Sequence, residues 1–270
     1  MLQNLHTHTS LCDGRNTAEE MIESAIALGF DSLGFSAHAP TIQKTDWELR
    51  AVDEYKEKIS ALKKSYSEKI KIYLGIELDY YSKEAFDDAG FDYRIGSVHM
   101  AFKDGVQIDF DNGYEHSKKY IDTLFGKDSL AFAKLYYEKV AELPSVFDYD
   151  IVGHFDVLTK FSERHPELIA TESPEYKSIA LEALHAVRDK RELFEVNTGA
   201  ISRGHRTIPY PAPFLLDEMK RLNCKLILTS DCHSKDSIDC NFSEAKEYIK
   251  AHGFDTLYYL TEKGFVGEKI

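Results

Sequence analysis

The chain alternates short apolar runs with longer amphipathic ones. Three apolar runs, LILTS, LFEVN and YDIVG, are continuous rather than alternating, which is typical of strands buried on both faces of a parallel sheet. The pattern predicts eight strands, at Leu2–His8, Ser32–Ser36, Ile70–Leu78, Tyr93–His99, Tyr149–His154, Leu193–Asn197, Lys225–Asp231 and Thr256–Leu260.

Helices are predicted between these strands. Thr17 and Glu20 form a capping-box pattern before MIESAIAL, and Gly29 stands where a helix would end. Further helices are predicted at Asp46–Ser67, Ser129–Leu143, Pro174–Arg191, Pro213–Leu222 and Phe242–His252. Strand–helix alternation favours a parallel barrel or an open α/β sheet. No segment resembles a linker, so we expect one domain over residues 1–270.

Three stretches lack a clear strand or helix pattern and are predicted to be loops: Phe102–Asp128, Thr159–Ser173 and Ile208–Pro213. Long loops in a compact domain are often functional.

Composition narrows the functional classes. With 43% apolar residues the chain can bury a large core, and a net charge of −13 disfavours binding to nucleic acid. The N-terminus has no signal-peptide pattern, and no run of about 18 apolar residues predicts a membrane span. The four cysteines form no C-x-x-C pair. We therefore expect a cytoplasmic protein with reduced thiols and no membrane partner; the oligomeric state stays open.

Metal-capable side chains follow one predicted strand after another. In a parallel barrel the carboxyl ends of all strands lie on one face, so these residues would meet there. They are His6, His8, His38, Glu77, His99, His154, Asp231 and His233.

Spacing supports a metal site. His6 with His8, and Asp231 with His233, are two residues apart, so each pair points to one side of its strand. Imidazoles with carboxylates suit Zn, Mn or Fe, and so many ligands exceed what one ion can use, which indicates two or three divalent metals. Taken alone, Glu77 could instead be a helix-start carboxylate.

Asp13 and Cys232 lie close to these residues in the sequence. Asp13 is either a further ligand or a turn residue. Cys232 should face the core, because it lies between two residues that point the other way. No G-x-S-x-G, P-loop or G-x-G-x-x-G motif supports a rival chemistry.

At these residues the sequence resembles the polymerase-and-histidinol-phosphatase (PHP) superfamily. The matching motifs run in the family's order: LHTHTSLCDG (Leu5–Gly14), GFSAHAP (Gly34–Pro40), GIELDYY (Gly75–Tyr81), GSVH (Gly96–His99), GHFD (Gly153–Asp156) and TSDCH (Thr229–His233). The length and the segment EVNTGAISRG (Glu195–Gly204) are most similar to the histidinol-phosphatase group.

The resemblance implies a distorted (β/α)7 TIM-like barrel with a trinuclear metal site at the C-terminal ends of the strands. It implies that one metal is held by His6, His8, Glu77 and Asp231. It also implies that Glu77 bridges to a second metal held by His99 and His154, and that His38 and His233 hold a third. Where many relatives supply a histidine as the last ligand of the third metal, this chain offers Asp13.

The implied activity is hydrolysis of L-histidinol phosphate, a small-molecule monoester, to L-histidinol and phosphate in histidine biosynthesis. Arg203, Arg15 and Lys160 follow predicted strands and could bind the phosphate. Asp231 or His233 could protonate the leaving alkoxide.

Other functions stay open at this point. A PHP-type phosphodiesterase or exonuclease and a phosphotyrosine-protein phosphatase would use the same metals. A non-catalytic metal-binding module belongs to a different class, and it would bind metal without hydrolysing any phosphate ester.

Overall fold

A computed structural model describes residues 1–82, 85–87 and 89–270. Its centre is a seven-stranded parallel sheet with the order β1-β2-β3-β4-β7-β8-β9. These strands are β1 (Gln3–Asn4), β2 (Ser32–Phe35), β3 (Lys71–Asp79), β4 (Tyr93–Ser97), β7 (Ile151–Val152), β8 (Leu193–Asn197) and β9 (Lys225–Thr229). Among the described residues, two antiparallel hairpins complete the strands: β5 (Met100–Lys103) with β6 (Val106–Asp109), and β10 (Thr256–Thr261) with β11 (Gly264–Lys269).

The sheet curls until its first and last strands meet. Thr7 forms a parallel bridge with Cys232, and the His8 amide donates to the Cys232 carbonyl at 2.9 Å. On the same seam, Asn4 Nδ2 donates to Ser230 Oγ at 2.6 Å. The expected barrel with seven parallel strands is therefore confirmed, and it is nearly closed.

Helices surround the sheet and bury their apolar faces against it. They are α1 (Ala18–Ala27), α2 (Val52–Ser65), α3 (Tyr114–Leu124), α4 (Ser129–Val146), α5 (Pro174–Arg188), α6 (Gly199–Ser202), α7 (Pro213–Arg221) and α8 (Phe242–Ala251). The capping box predicted for α1 is present, with Thr17 and Glu20 each accepting from the other's backbone amide. Gly29 follows this helix at a φ of +75°, as its predicted role requires.

A separate small core fills the barrel interior. It consists of Leu5, Tyr73, Tyr93, Ile95, Ile151, Leu193, Ile227 and Leu260. The Tyr93 side chain passes so close to β2 and β3 that a Cβ on Gly34 or Gly75 would lie under 3.0 Å from it. The β10–β11 hairpin covers the amino ends of the strands, where the Leu260 carbonyl accepts from Gln3 Nε2 and the Tyr73 hydroxyl.

Two expectations are wrong in detail. The helix expected at Asp46–Ser67 begins only at Val52, because the buried Glu48 carboxylate accepts from the Thr41 amide and hydroxyl at 2.8 Å, and that contact folds the preceding segment back. The stretch Phe102–Asp128, expected as a loop, contains the end of β5, all of β6 and α3.

The structure also bears on the last predicted strand and on membrane-spanning helices. Thr256–Leu260 is a strand, but it pairs in the β10–β11 hairpin rather than in the barrel. Within the described ranges, none of the helices combines the length and apolar character needed to cross a membrane.

Candidate metal centre

The nine candidate ligands converge at the carboxyl ends of the barrel strands. Each belongs to at least one group whose nitrogen or oxygen atoms lie within 4.8 Å of one another. These groups are His8–Asp13–His38–His233, His6–His8–Glu77, His6–His154–Asp231 and His38–Glu77–His99. They share members, so the ligands form one continuous cluster, as the strand-end positions predict.

Glu77 occupies the middle of this cluster. Its Oε1 lies 3.1 Å from His154 Nε2 and 3.4 Å from His99 Nε2, and it accepts from the Ser97 hydroxyl at 2.7 Å. Its Oε2 faces other imidazoles: His6 Nε2 at 3.2 Å, His8 Nε2 at 3.5 Å and His38 Nδ1 at 3.0 Å. One carboxylate therefore faces two sets of histidines, one set with each oxygen.

Asp13 lies at the outer side of the cluster. Its Oδ2 is 3.0 Å from His233 Nε2 and 3.7 Å from His38 Nε2, and its Oδ1 is 3.6 Å from His8 Nδ1. The geometry thus favours a ligand position for Asp13 over a plain turn residue. Cys232 is buried in the core, as its place between Asp231 and His233 predicts.

Unpartnered buried atoms show that these residues fit a metal. Among the described residues, His6 Nε2, His8 Nε2 and Glu77 Oε2 are buried and find no hydrogen-bond partner. A buried polar atom without a partner is unfavourable, and all three point at the same small volume. A divalent cation would satisfy them, and mixed imidazole and carboxylate donors suit Zn, Mn or Fe.

The charges around Glu77 and Asp231 favour the ionised form of both carboxylates, which is the form that binds metal. Burial raises the pKa values of Glu77 and Asp231, but neighbouring cationic groups outweigh it and hold both well below their ordinary values. The main opposing groups are His6 beside Glu77 and Arg203 beside Asp231. Both carboxylates are therefore ionised at neutral pH.

The histidines divide into two kinds. Burial lowers the pKa of His8 to about 3, helped by His233 and His38, so its ring stays neutral. Burial also opposes charge on His6, but Glu195, Glu77 and Asp231 outweigh it and hold the pKa of that ring well above its ordinary value. Metal binding at His6 must therefore displace a proton.

A cavity of about 430 Å³ opens onto the cluster. All three predicted phosphate-binding residues, Arg15, Lys160 and Arg203, line it. Arg203 donates to the Asp231 carbonyl at 3.0 Å and to Asp231 Oδ2 at 3.1 Å. Lys160 pairs with Asp111 at 3.0 Å. Arg203 and Lys160 are therefore each held by an aspartate while they face the cavity.

The two predicted proton donors differ in their surroundings. Asp231 Oδ1 lies 3.3 Å from His8 Nε2, and its backbone adopts a φ of +45°, in the left-handed region. A non-glycine residue held there is strained, and such strain concentrates at functional sites. His233 lines the cavity, and Arg203 Nη1 lies 3.2 Å from its Nδ1.

Two buried carboxylates contact the cluster but were not predicted as site residues. Asp79 Oδ2 accepts from the His99 amide at 2.8 Å and lies 3.4 Å from His99 Nδ1. Glu195 Oε2 lies 2.9 Å from His6 Nδ1. A signal for both was available, because Glu195 interrupts the apolar run LFEVN and Asp79 directly follows the predicted strand Ile70–Leu78.

Comparisons with known proteins found a matching family model and similar curated proteins. The family model described as "PHP domain" matches residues 4–199. A Schizosaccharomyces pombe protein named "Probable histidinol-phosphatase" is 28% identical over 280 residues, covering 96% of this chain and 89% of the relative. The Bacillus subtilis "Histidinol-phosphatase" is 24% identical, with 84% of this chain and 92% of the relative covered.

A solved structure is similar over almost the whole chain. It is the Lactococcus lactis histidinol phosphate phosphatase complexed with Zn, L-histidinol and phosphate, which aligns with a TM-score of 0.73 at 22% identity. The alignment covers 98% of both chains, so the two share a fold.

Proposed function

This chain belongs to the PHP domain family, and from that premise we propose that it is a metal-dependent phosphomonoesterase that hydrolyses L-histidinol phosphate to L-histidinol and phosphate. The observation that carries the proposal is the cluster of nine nitrogen- and oxygen-bearing ligands with unpartnered buried atoms, open to a cavity with three cationic side chains. Relatives named histidinol-phosphatase, matched over most of their length, support the choice of substrate.

The metal ligands in this proposal are His6, His8, Asp13, His38, Glu77, His99, His154, Asp231 and His233. They would hold two or three ions of Zn, Mn or Fe, and Glu77 is the ligand whose two oxygens face different histidines. When bound, such ions supply Lewis acidity, which lowers the pKa of water and offsets the negative charge of a phosphate.

The cationic side chains position the phosphate. Arg203 is the strongest candidate, because its guanidinium is fixed against Asp231 at the edge of the cluster. Among the described residues, its buried Nε has no hydrogen-bond partner. Arg15 and Lys160 face the same cavity, and Lys160 is held by Asp111. A planar guanidinium suits paired contacts with phosphate oxygens.

The remaining cavity wall is complementary to the rest of the substrate. Asp109, Asp111, Asn112 and Trp47 line it. Histidinol phosphate carries an ammonium group and an imidazole, which carboxylates and an aromatic face can accommodate. An acidic wall beside cationic phosphate-binding residues therefore favours a phosphate ester that also carries a positive charge.

Proton transfer is assigned to the residues at the cluster edge. Asp231 is ionised, so its first role is to accept a proton from the attacking water at Oδ1 or Oδ2. It can return this proton to the alkoxide oxygen that leaves phosphorus. His233, which lines the cavity beside Arg203, is the alternative donor to the leaving oxygen.

A phosphate-release screen combined with metal analysis of the same sample tests the proposal. The panel contains L-histidinol phosphate, p-nitrophenyl phosphate, bis(p-nitrophenyl) phosphate, a phosphotyrosine peptide and labelled single-stranded DNA. We expect L-histidinol phosphate to have the highest kcat/KM and chelation to abolish its turnover.

Each other outcome overturns a defined part of the proposal. Cleavage of the diester or DNA without monoester turnover would indicate the phosphodiesterase alternative. Preference for the peptide would indicate a protein phosphatase. Protein that contains metal but hydrolyses no compound in the panel would indicate a non-catalytic metal-binding module.

A further inference from the structure

Glu195 lies on β8 directly beneath the candidate ligands. The residue is 1% exposed, and its side chain points into the barrel interior together with Thr229 of the neighbouring strand. A carboxylate buried this deeply is stable only if its oxygens accept several hydrogen bonds. The role of Glu195 therefore depends on which groups donate hydrogen bonds to its two oxygens.

Four donors converge on this carboxylate. Oε2 accepts from Thr229 Oγ1 at 2.7 Å and faces His6 Nδ1 at 2.9 Å. Oε1 accepts from Asn197 Nδ2 at 2.9 Å and from the backbone amide of His154. Glu195 therefore joins two candidate metal ligands, His6 through its ring and His154 through its backbone.

We propose that Glu195 is a positioning residue that keeps the proton of His6 on Nδ1 and leaves Nε2 free to bind metal. The inference rests on the proposed function, since it concerns one ligand of that metal site. His6 Nε2 points into the cluster, 3.2 Å from Glu77 Oε2. A histidine that donates its second ring N–H to a carboxylate is oriented and made a stronger ligand.

An amide cannot replace this carboxylate without changing His6. The His154 amide is a backbone donor, and the Asn197 side chain is fixed as a donor because its Oδ1 already accepts from the Gly199 amide at 2.8 Å. In Glu195→Gln, the amide oxygen must therefore occupy the Oε1 position. Its NH2 group then faces His6 Nδ1 and the Thr229 hydroxyl, which can rotate.

The predicted consequence is a change of tautomer. Facing an NH2 group, His6 Nδ1 becomes an acceptor, and the ring proton moves to Nε2, where it blocks the lone pair needed for metal. We expect the zinc affinity of Glu195→Gln to fall about 10- to 100-fold, measured by competition with a chromophoric chelator. Ring 15N NMR of the Zn-loaded wild type should show His6 protonated at Nδ1.

Thr229→Val is the matched control. It removes one hydrogen bond from Glu195 Oε2 but keeps the contact with His6. If Glu195 acted only by tying β8 to β9, both variants would lose zinc affinity equally. We expect only Glu195→Gln to lose affinity, with both variants giving the circular dichroism spectrum of the wild type.

The possible failures are distinguishable. Wild-type protein that binds no zinc and releases no phosphate would reject the proposed function itself. Wild-type activity with unchanged zinc affinity in Glu195→Gln would reject the role of Glu195 alone. If Glu195→Gln does not fold, the wild-type spectrum still decides, because a His6 ring protonated at Nε2 in the Zn-loaded protein contradicts the inference.

Discussion

Replacing Glu77 by glutamine removes one negative charge from the middle of the ligand cluster and keeps the shape of the side chain. In the wild type, Oε2 faces His6, His8 and His38, whereas Oε1 faces His99 and His154. Cations held by either set of histidines would therefore lie next to the same carboxylate. We expect Glu77→Gln to weaken metal binding on both sides at once.

The magnitude follows from Coulomb's law. Each unit of positive charge about 4 Å from the carboxylate interacts with it by about 4 kcal/mol at an effective dielectric constant of about 20, so this figure is a minimum for a divalent ion. A loss of that size lowers affinity by about a thousandfold. After dialysis against a moderate chelator, elemental analysis should show that Glu77→Gln has lost more than one metal equivalent relative to wild type. Turnover of L-histidinol phosphate should fall by a similar factor.

Glu48→Gln is the control for the removal of a buried carboxylate. Glu48 is also buried, but its carboxylate accepts from Thr41 and Thr45. We expect this variant to keep the metal content of the wild type. Glu77→Gln protein with full metal content, or with loss of a single equivalent, would refute the shared position of Glu77.

Arg203→Lys keeps the charge but loses the paired contacts with Asp231, so kcat/KM for the phosphate ester should fall about 10- to 100-fold in a phosphate-release assay; unchanged kinetics would contradict its assigned role. Burial opposes charge on His99, but Glu77 and Asp79 outweigh it and raise its pKa to about 10. Metal must displace that proton, so zinc affinity in chelator competition should rise with pH below about 10, and a flat profile would contradict this. Gly75→Ala would press a methyl group against the Tyr93 ring and should destabilise the fold by about 1–3 kcal/mol, seen as a lower Tm; an unaltered Tm would show that the ring can move aside.

The sequence was sufficient to predict the parts of the fold that repeat. The apolar run LFEVN predicts a strand buried on both faces, and the structure confirms it as β8, in which all five residues are buried. Because parallel strands end on one face, the positions of His6, His99 and His154 were enough to predict that these residues meet.

Local contacts between distant residues were harder to predict. The β5–β6 hairpin turns at Asp104 and Gly105, both with positive φ. An Asp-Gly pair is a hairpin signal, but the polar character of the surrounding segment led to the prediction of a loop. The start of α2 depends on where the Glu48 side chain finds its partners, which helical periodicity does not reveal. The same holds for Glu195, whose partners come from three other strand ends.

Metal bound at the junction of β1 and β9 would couple metal loading to closure of the barrel. The two edges are joined by the Thr7–Cys232 bridge, with His6 and His8 on one edge and Asp231 on the other. Ions held from both edges would act as cross-links, so their binding energy would add to the stability of the closed state. Metal-free protein would then open first between β1 and β9. Backbone amides there would exchange with solvent sooner than those of β3 and β4, which are paired on both sides.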